Sequence, residues 1–472
     1  MSINENLKHP LMTISPLDGR YLCHVHQIPE VISEYALNKA RVHVEIEWLI
    51  SLANNVQIND VQPFSSDDVS FLRQISSNFS LADAEEIKSI EQVINHDVKS
   101  VEYWIKKKLE TRPSMIKDIE LVHFACTSED INNLADAIMI TNVRKLMSQK
   151  INELNDHLCC MVAKHAATAM MSRTHGQPAS PTTLGKEISV FVHRLRTLHE
   201  RINELAITAK INGAVGNYHA HAISYPEVDW IEHSKNFVES LGFSFCLYST
   251  QVESHDTMAT LFYFFSQLNN VLINLCRDFW GYISLGYLQQ KANPKEVGSS
   301  TMPHKINPID FENAESNLNL ANSLLCHLSS NLTISRWQRD LTDSTLKRNI
   351  GVAFGHCLLG YSMLMRGLQK VDANIKTMRD DLNQNWEVLA EAVQSVMRRN
   401  RIPNSYEKIK ELTRGQKITP DELHAFIRSL PLPNEHIDRL INLSPEKYIG
   451  YAEKIAKQAL NNHDHMQYKT ST

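Results

Sequence analysis

The chain has 472 residues, with 48 Lys plus Arg against 53 Asp plus Glu, and its net charge of -5 offers no broad polyanion-binding surface. Only 15 residues are glycine and 16 proline, where average usage near ~7% would supply roughly 33 glycines. Neither GxGxxG nor GxxxxGK[ST] occurs, which excludes a Rossmann fingerprint and a P-loop.

Residues 1–115 carry short helical patterns. Ser80 with Asp83 forms an N-cap signature ahead of Ile87, Ile90 and Ile94, and Pro113 marks a boundary. From Leu134 to about Ala169 there is neither Gly nor Pro, and Val143, Met147, Ile151, Leu154, Leu158 and Val162 form a stripe at helical spacing. At ~1.5 Å per residue such a helix exceeds about 50 Å and needs equally long partners. Candidates follow at 183–210, 256–291, 310–331 and 350–372, so an all-α bundle is expected. The uncharged stretch between Asp256 and Arg277 contains Gln267, Asn269, Asn270 and Asn274, and reads as a buried helix rather than a membrane span. Beyond about 373 the elements are shorter. Thr419-Pro420-Asp421-Glu422 combines an N-cap, an N1 proline and an N3 glutamate, and Ser444-Pro445 repeats part of that device. The polar end NHDHMQYKTST is expected to fray.

The eight cysteines are scattered without a C-x-x-C pair, and the N-terminus lacks a cationic flank followed by an apolar run. A cytoplasmic protein with reduced thiols is therefore expected.

Polar chemistry concentrates in a few segments. PKEVGSSTMPHKINPIDFENAESN, residues 294–317, joins two helical patterns and reads either as a solvated turn punctuated by serine and proline or as an anion site, in which backbone N–H groups around Gly298 and the Lys305 ammonium would favour ionisation of a nearby serine. Ser172-Arg173-Thr174-His175-Gly176-Gln177-Pro178 breaks the long helices; a lone histidine is more often a structural hydrogen-bonder, but one beside Arg and Gln at such a break can also protonate a leaving group at neutral pH. Asn95-His96-Asp97 and Thr127-Ser128-Glu129-Asp130 fit helix capping or ligand binding. Arg336, Arg339, Ser344 and Arg348 suit phosphate or carboxylate, although a solvated arginine helix face is the commoner explanation of each taken singly. His24/His26, His219/His221 and His463/His465 lack third and fourth ligands at a recognisable spacing, so no metal is expected, and no GxSxG elbow is present.

GSSTMPHKINP at 298–308 resembles the signature loop of the fumarase/aspartase superfamily. SPLDGRY at 15–21, NHDVKSVEYW, HFACTSEDINN, SRTHGQPASPTTLGKE, INGAVGNYHAH and SRWQRDLTDS extend the resemblance over nearly the whole chain. His304 in MPHK is similar to the adenylosuccinate lyase branch of bacterial type, whose relatives usually carry Gly or Gln there. The resemblance implies β-elimination of fumarate from adenylosuccinate, giving AMP, and from the succinylated aminoimidazole carboxamide ribotide, both in purine nucleotide synthesis and without a cofactor.

Matched positions imply Ser299 as general base, with Ser300 the competing hydroxyl, and His175 as general acid. They imply Arg20, Tyr21, Asn95, His96, Asp97, Thr127, Ser128, Gln251, Ser300, Lys305, Asn307, Asn313, Arg339, Ser344, Thr345 and Arg348 as substrate-binding. The implied fold is three helical domains, 1–115, 116–368 and 369–472, the central bundle pairing with other subunits in a homotetramer with shared sites. Neither nucleic acid nor membrane is expected as a partner. Another fumarate-releasing lyase of the superfamily, or a non-catalytic helical scaffold, is the alternative.

Overall fold

Glycine-poor sequence becomes helix separated by capped breaks. The computed structural model describes residues 9–291, 301–415 and 417–461. The N-terminal part holds Glu34–Ala53, Ser66–Ser77, Leu81–Ile94 and Asp97–Leu109. Ser33, Ser65 and Ser80 each accept a backbone N–H from the first turn of the helix they open, and Ser80 with Asp83 completes the expected capping box. Such caps stabilise by about 1 kcal/mol each. Ile46, Leu49, Leu72, Val101, Trp104 and Ile105 bury the apolar faces of these helices in one cluster. Pro113 opens the 3-10 stretch Pro113–Leu121, the expected boundary.

Next comes Ser128–His165, a helix of 38 residues, about 57 Å long at ~1.5 Å per residue. Its stripe residues Val143, Met147, Ile151, Leu154, Leu158 and Val162 are all buried. Leu184–Glu204, Asp256–Ser284, Ile309–Asn331 and Ile350–Gln369 follow. Four of these five long helices stop three to seven residues before the apolar pattern does, because the chain turns into very short strands. Ala169–Met170 pairs antiparallel with Thr182–Thr183, and Arg173–Thr174 with Gln177–Pro178. Thr208–Ala209 runs parallel to Ser244–Phe245, and Leu288–Gln290 antiparallel to Val371–Ala373. Gly286, at φ +73°, ends the helix ahead of Leu288 in a left-handed conformation that residues with a Cβ rarely adopt. A Cβ on Gly185 would lie 2.7 Å from backbone atoms of His165 and Ala166, so only glycine lets the chain meet there.

Toward the C-terminus, Thr419 and Glu422 form a full capping box with Pro420 inside the first turn. Ser444 contributes no side-chain cap, and Pro445 opens only the 3-10 turn Pro445–Lys447. Leu389, Val393, Met397, Leu423 and Ile427 form the core of this region. Its last residues, NHDHMQYKTST, lie outside the described residues.

The chain divides into two compact units, one comprising Met1–Lys150, Leu198–Asn270 and Ser316–Ser362, the other Ile151–Thr197, Val271–Glu315 and Met363–Thr472. Among the described residues no helix is long and apolar enough to cross a membrane.

Candidate active site

In the second unit, the strands around His175 build an arm. Its base is the Ala169–Met170 pair with Thr182–Thr183, its shaft Arg173–Thr174 against Gln177–Pro178, and its tip His175-Gly176. Both tip residues have positive φ, +53° and +74°, the pattern of a type I′ turn that matches strand twist. His175 is exposed at that tip. Arg173 Nη2 donates to Asp381 Oδ2 at 2.7 Å, and the Tyr287 hydroxyl donates to the same oxygen. Ser180 donates to a Glu391 carboxylate oxygen. Lys305 is exposed, while Asn307 and Asn313 are half-buried in the same unit.

In the first unit, Asn95 takes a left-handed φ of +54° that closes Leu81–Ile94, and His96 caps Asp97–Leu109. The His96 Nδ1 accepts from Lys99 N at 3.2 Å, so a neutral ring carries its proton on Nε2, free to donate. Asp97 meets Arg41 at 2.5 Å, and Arg41 Nε donates to Asn132 at 2.9 Å. Burial opposes ionisation of Asp97, but the Arg41 guanidinium outweighs it and holds the carboxyl below its ordinary value.

Thr127 and Ser128 stand at the start of the long helix. Thr127 N donates to Asp130 Oδ2 at 2.8 Å, and Asp130 also accepts from Asn212 N and Gly213 N, each at 3.0 Å. Lys210 completes the set with a 2.8 Å ion pair to Asp130, both side chains wholly buried. One carboxylate thus ties the start of the long helix to the INGAVGNYHAH segment. Gln251 joins that segment by donating to Ala214 O at 2.8 Å. Arg20, exposed, stacks its guanidinium 5.7 Å from the Tyr21 ring in the turn before Leu22–Val25.

Arg339 reaches Glu129 at 3.3 Å, Asp343 at 3.1 Å and Ser344 Oγ at 3.5 Å. Lys347 Nζ lies 3.1 Å from Glu129, 2.9 Å from Asp136 and 3.1 Å from Asp343. Glu129, His255 and Asp343 bring ligand atoms within 4.8 Å of one another, a spacing that could hold a metal ion. The Lys347 ammonium already stands among those carboxylates as their counter-charge. A cavity of about 470 Å³ opens beside this cluster, lined by Arg41, Asp97, Asn132, Ser344, Lys347 and Arg348 among others. Thr345 and Arg348, both exposed, lie on or just past the short helix Thr342–Lys347.

His255 sits 3.5 Å from both Glu253 and Asp343, with Glu129 close by. Burial favours the neutral imidazole, yet the Asp343 and Glu253 carboxylates prevail against it and against Lys347, pushing the pKa up to about 9. A folded-state pKa above the unfolded ~6.5 stabilises fully at pH below ~6.5, and the contribution is lost as pH climbs through about 9. His255→Gln should therefore cost about 2 kcal/mol at pH 6 and much less at pH 9.5 in urea titrations; a pH-independent cost would contradict it.

The expected binding residues thus fall in both units. Arg20, Tyr21, Asn95, His96, Asp97, Thr127, Ser128, Gln251, Arg339, Ser344, Thr345 and Arg348 belong to the first, and His175, Lys305, Asn307 and Asn313 to the second. Ser299 and Ser300 lie outside the described residues. Sequence reading did not single out Lys210, Asp136 and His255, which pair with Asp130, Lys347 and Asp343 beside the expected binding residues, and it took in Lys347 only within the run from Ser344 to Arg348. Two signals were readable: Lys210 interrupts an apolar stretch between Ile207, Ala209 and Ile211, and Asp343 precedes Lys347 by one helical turn.

Known proteins match most of the chain. A family model described as Lyase matches residues 19–320, and one described as Adenylosuccinate lyase C-terminal matches 335–449. Adenylosuccinate lyase of Legionella pneumophila strain Corby is 49% identical over 448 residues, 95% of this chain and 98% of the relative. That of Escherichia coli K12 is 47% identical over 443 residues, 94% and 97% of the two chains. In fold, the chain is similar to a fumarate lyase from Mesorhizobium sp. BNC1, with a TM-score of 0.72 at 16% identity, covering 92% of this chain and 97% of that one.

Proposed function

The chain belongs to the adenylosuccinate lyase family, and from that membership we propose how its own residues divide the work of the reaction. The protein is a carbon–nitrogen lyase that releases fumarate from adenylosuccinate, leaving AMP. The same elimination on the succinylated aminoimidazole carboxamide ribotide belongs to the proposal.

The reaction removes a proton from the carbon beside a succinyl carboxylate, and the electron pair left behind forms the new double bond as the C–N bond breaks. Ser299 takes that proton. The charge that develops spreads into the carboxylate, where Lys305 and the N–H groups around Gly298 stabilise it. His175 gives its proton to the departing nitrogen. His96, donating through Nε2, orients the substrate, and Arg20, Tyr21, Asn95, Asp97, Thr127, Ser128, Gln251, Ser300, Asn307, Asn313, Arg339, Ser344, Thr345 and Arg348 hold its phosphate, base and carboxylates. The observation that carries this reading is His175 exposed on a left-handed turn, outside any helix, where an imidazole can meet a bound molecule.

We also propose that residues 1–115, 116–368 and 369–472 act as three helical domains, that four copies assemble in the cytoplasm, and that each site draws on several copies. The separate apolar clusters around Trp104 and Ile427 support distinct first and last domains. Purified protein should release fumarate from adenylosuccinate, read by absorbance, and leave argininosuccinate, malate and aspartate intact; the opposite preference would place it elsewhere in the superfamily.

A further inference from the structure

We infer that Asp381, with Glu391, is a positioning residue for His175, so that the C-terminal segment aims the acid of the reaction. The inference rests on the reading of His175 as that acid. A type I′ turn fixes the backbone at the tip, and the Arg173/Pro178 and Thr174/Gln177 pairs make the arm beneath it move as one piece. Its tilt is then set by what grips its sides. Arg173, on the first strand, donates to Asp381 Oδ2 at 2.7 Å, and Ser180, just beyond the second, donates to Glu391. Ser172 also donates to the Ser180 carbonyl, binding the two sides together below the tip. With grips on opposite sides, the arm has one tilt; with either lost, it can pivot about the other.

Asp381 is itself held from two further directions. The buried Tyr287 hydroxyl donates to Oδ2, and Asn385 Nδ2 donates to Oδ1 at 3.1 Å. Three donors, one from a strand and two from the connecting segments at Tyr287 and Asn385, converge on one carboxylate two residues from the histidine by way of Arg173. Orientation matters steeply here, because displacing a catalytic group by about 1 Å can cost on the order of 100-fold in rate.

The test is a double-mutant cycle in the full-length protein with adenylosuccinate as substrate. Asp381→Asn should lower kcat by on the order of 10- to 100-fold while KM changes by less than about 3-fold. In a His175→Asn background, Asp381→Asn should lower kcat no further, since its effect passes through the imidazole. An equal loss in both backgrounds overturns the positioning role. Unchanged turnover in His175→Asn alone overturns the acid assignment instead, so the two failures are distinguishable. Ser180→Ala and Arg173→Lys, run through the same cycle, keep the question answerable if Asp381→Asn does not fold, with the same non-additivity expected and additivity again decisive against it.

Discussion

Ser299→Ala is expected to lower turnover by on the order of 100- to 10,000-fold, the contribution that a positioned general base supplies, with assembly intact. The proton beside a carboxylate is weakly acidic, and Ser299 is the proposed group to take it, with Ser300 the competing hydroxyl. Ser300→Ala is expected to cost far less. Reversal of that order in fumarate-release kinetics would move the base one residue along. His175→Asn should cost a comparable factor, and asparagine is the informative replacement because it tolerates the left-handed φ of +53° while lacking an acid. If sites are shared between copies, mixing inactive Ser299→Ala and His175→Asn proteins should restore part of the activity. No recovery after demonstrated exchange of subunits would count against sharing.

Asp130→Asn is expected to destabilise the fold by about 3–5 kcal/mol, the usual consequence of stripping one partner from a buried ion pair. Lys210 is wholly buried and its ammonium faces Asp130 at 2.8 Å, so the substitution leaves a positive charge enclosed without its anion. It also weakens the anchor shared by Thr127, Asn212 and Gly213, so KM for adenylosuccinate should rise. The double variant Asp130→Asn/Lys210→Met should recover much of the stability, because both charges are then gone. Chemical denaturation decides: a single-variant cost below about 1 kcal/mol, or a double variant no better than the single, would contradict the account.

Long helices were legible because their apolar stripes repeat locally, and the Ser80/Asp83 and Thr419/Glu422 boxes were legible because a cap is written within four residues. Strands of two or three residues leave no periodicity, and so the helix ends after Ser128, Leu184, Asp256 and Ile350 were read too late. His96 illustrates a choice that sequence left open between capping and ligand binding; the imidazole caps through Nδ1 and keeps Nε2 for another partner. The Asp130–Lys210 pair spans 80 positions and Arg173–Asp381 spans 208, and such pairings follow from packing rather than from any spacing in the chain. The motif residues could be named in advance. Of the residues that hold them in place, Lys210 and Lys347 left a local trace, whereas the pairing of Arg173 with Asp381 left none.

The close approach at Gly185 gives the arm the mechanics of a lever. The chain enters and leaves it where Ala166 and Gly185 touch, and Leu184 N donates to Thr168 O at 2.9 Å just above. From Ala169, where the paired strands begin, to His175 is about 20 Å of extended chain at ~3.3 Å per residue. A methyl group at position 185 would stand 2.7 Å from backbone that no side-chain movement can clear, so the base itself would have to shift, and a pivot so far from the tip enlarges that movement at His175. The absence of a side chain at one glycine is therefore part of what fixes the aim of a histidine ten residues earlier.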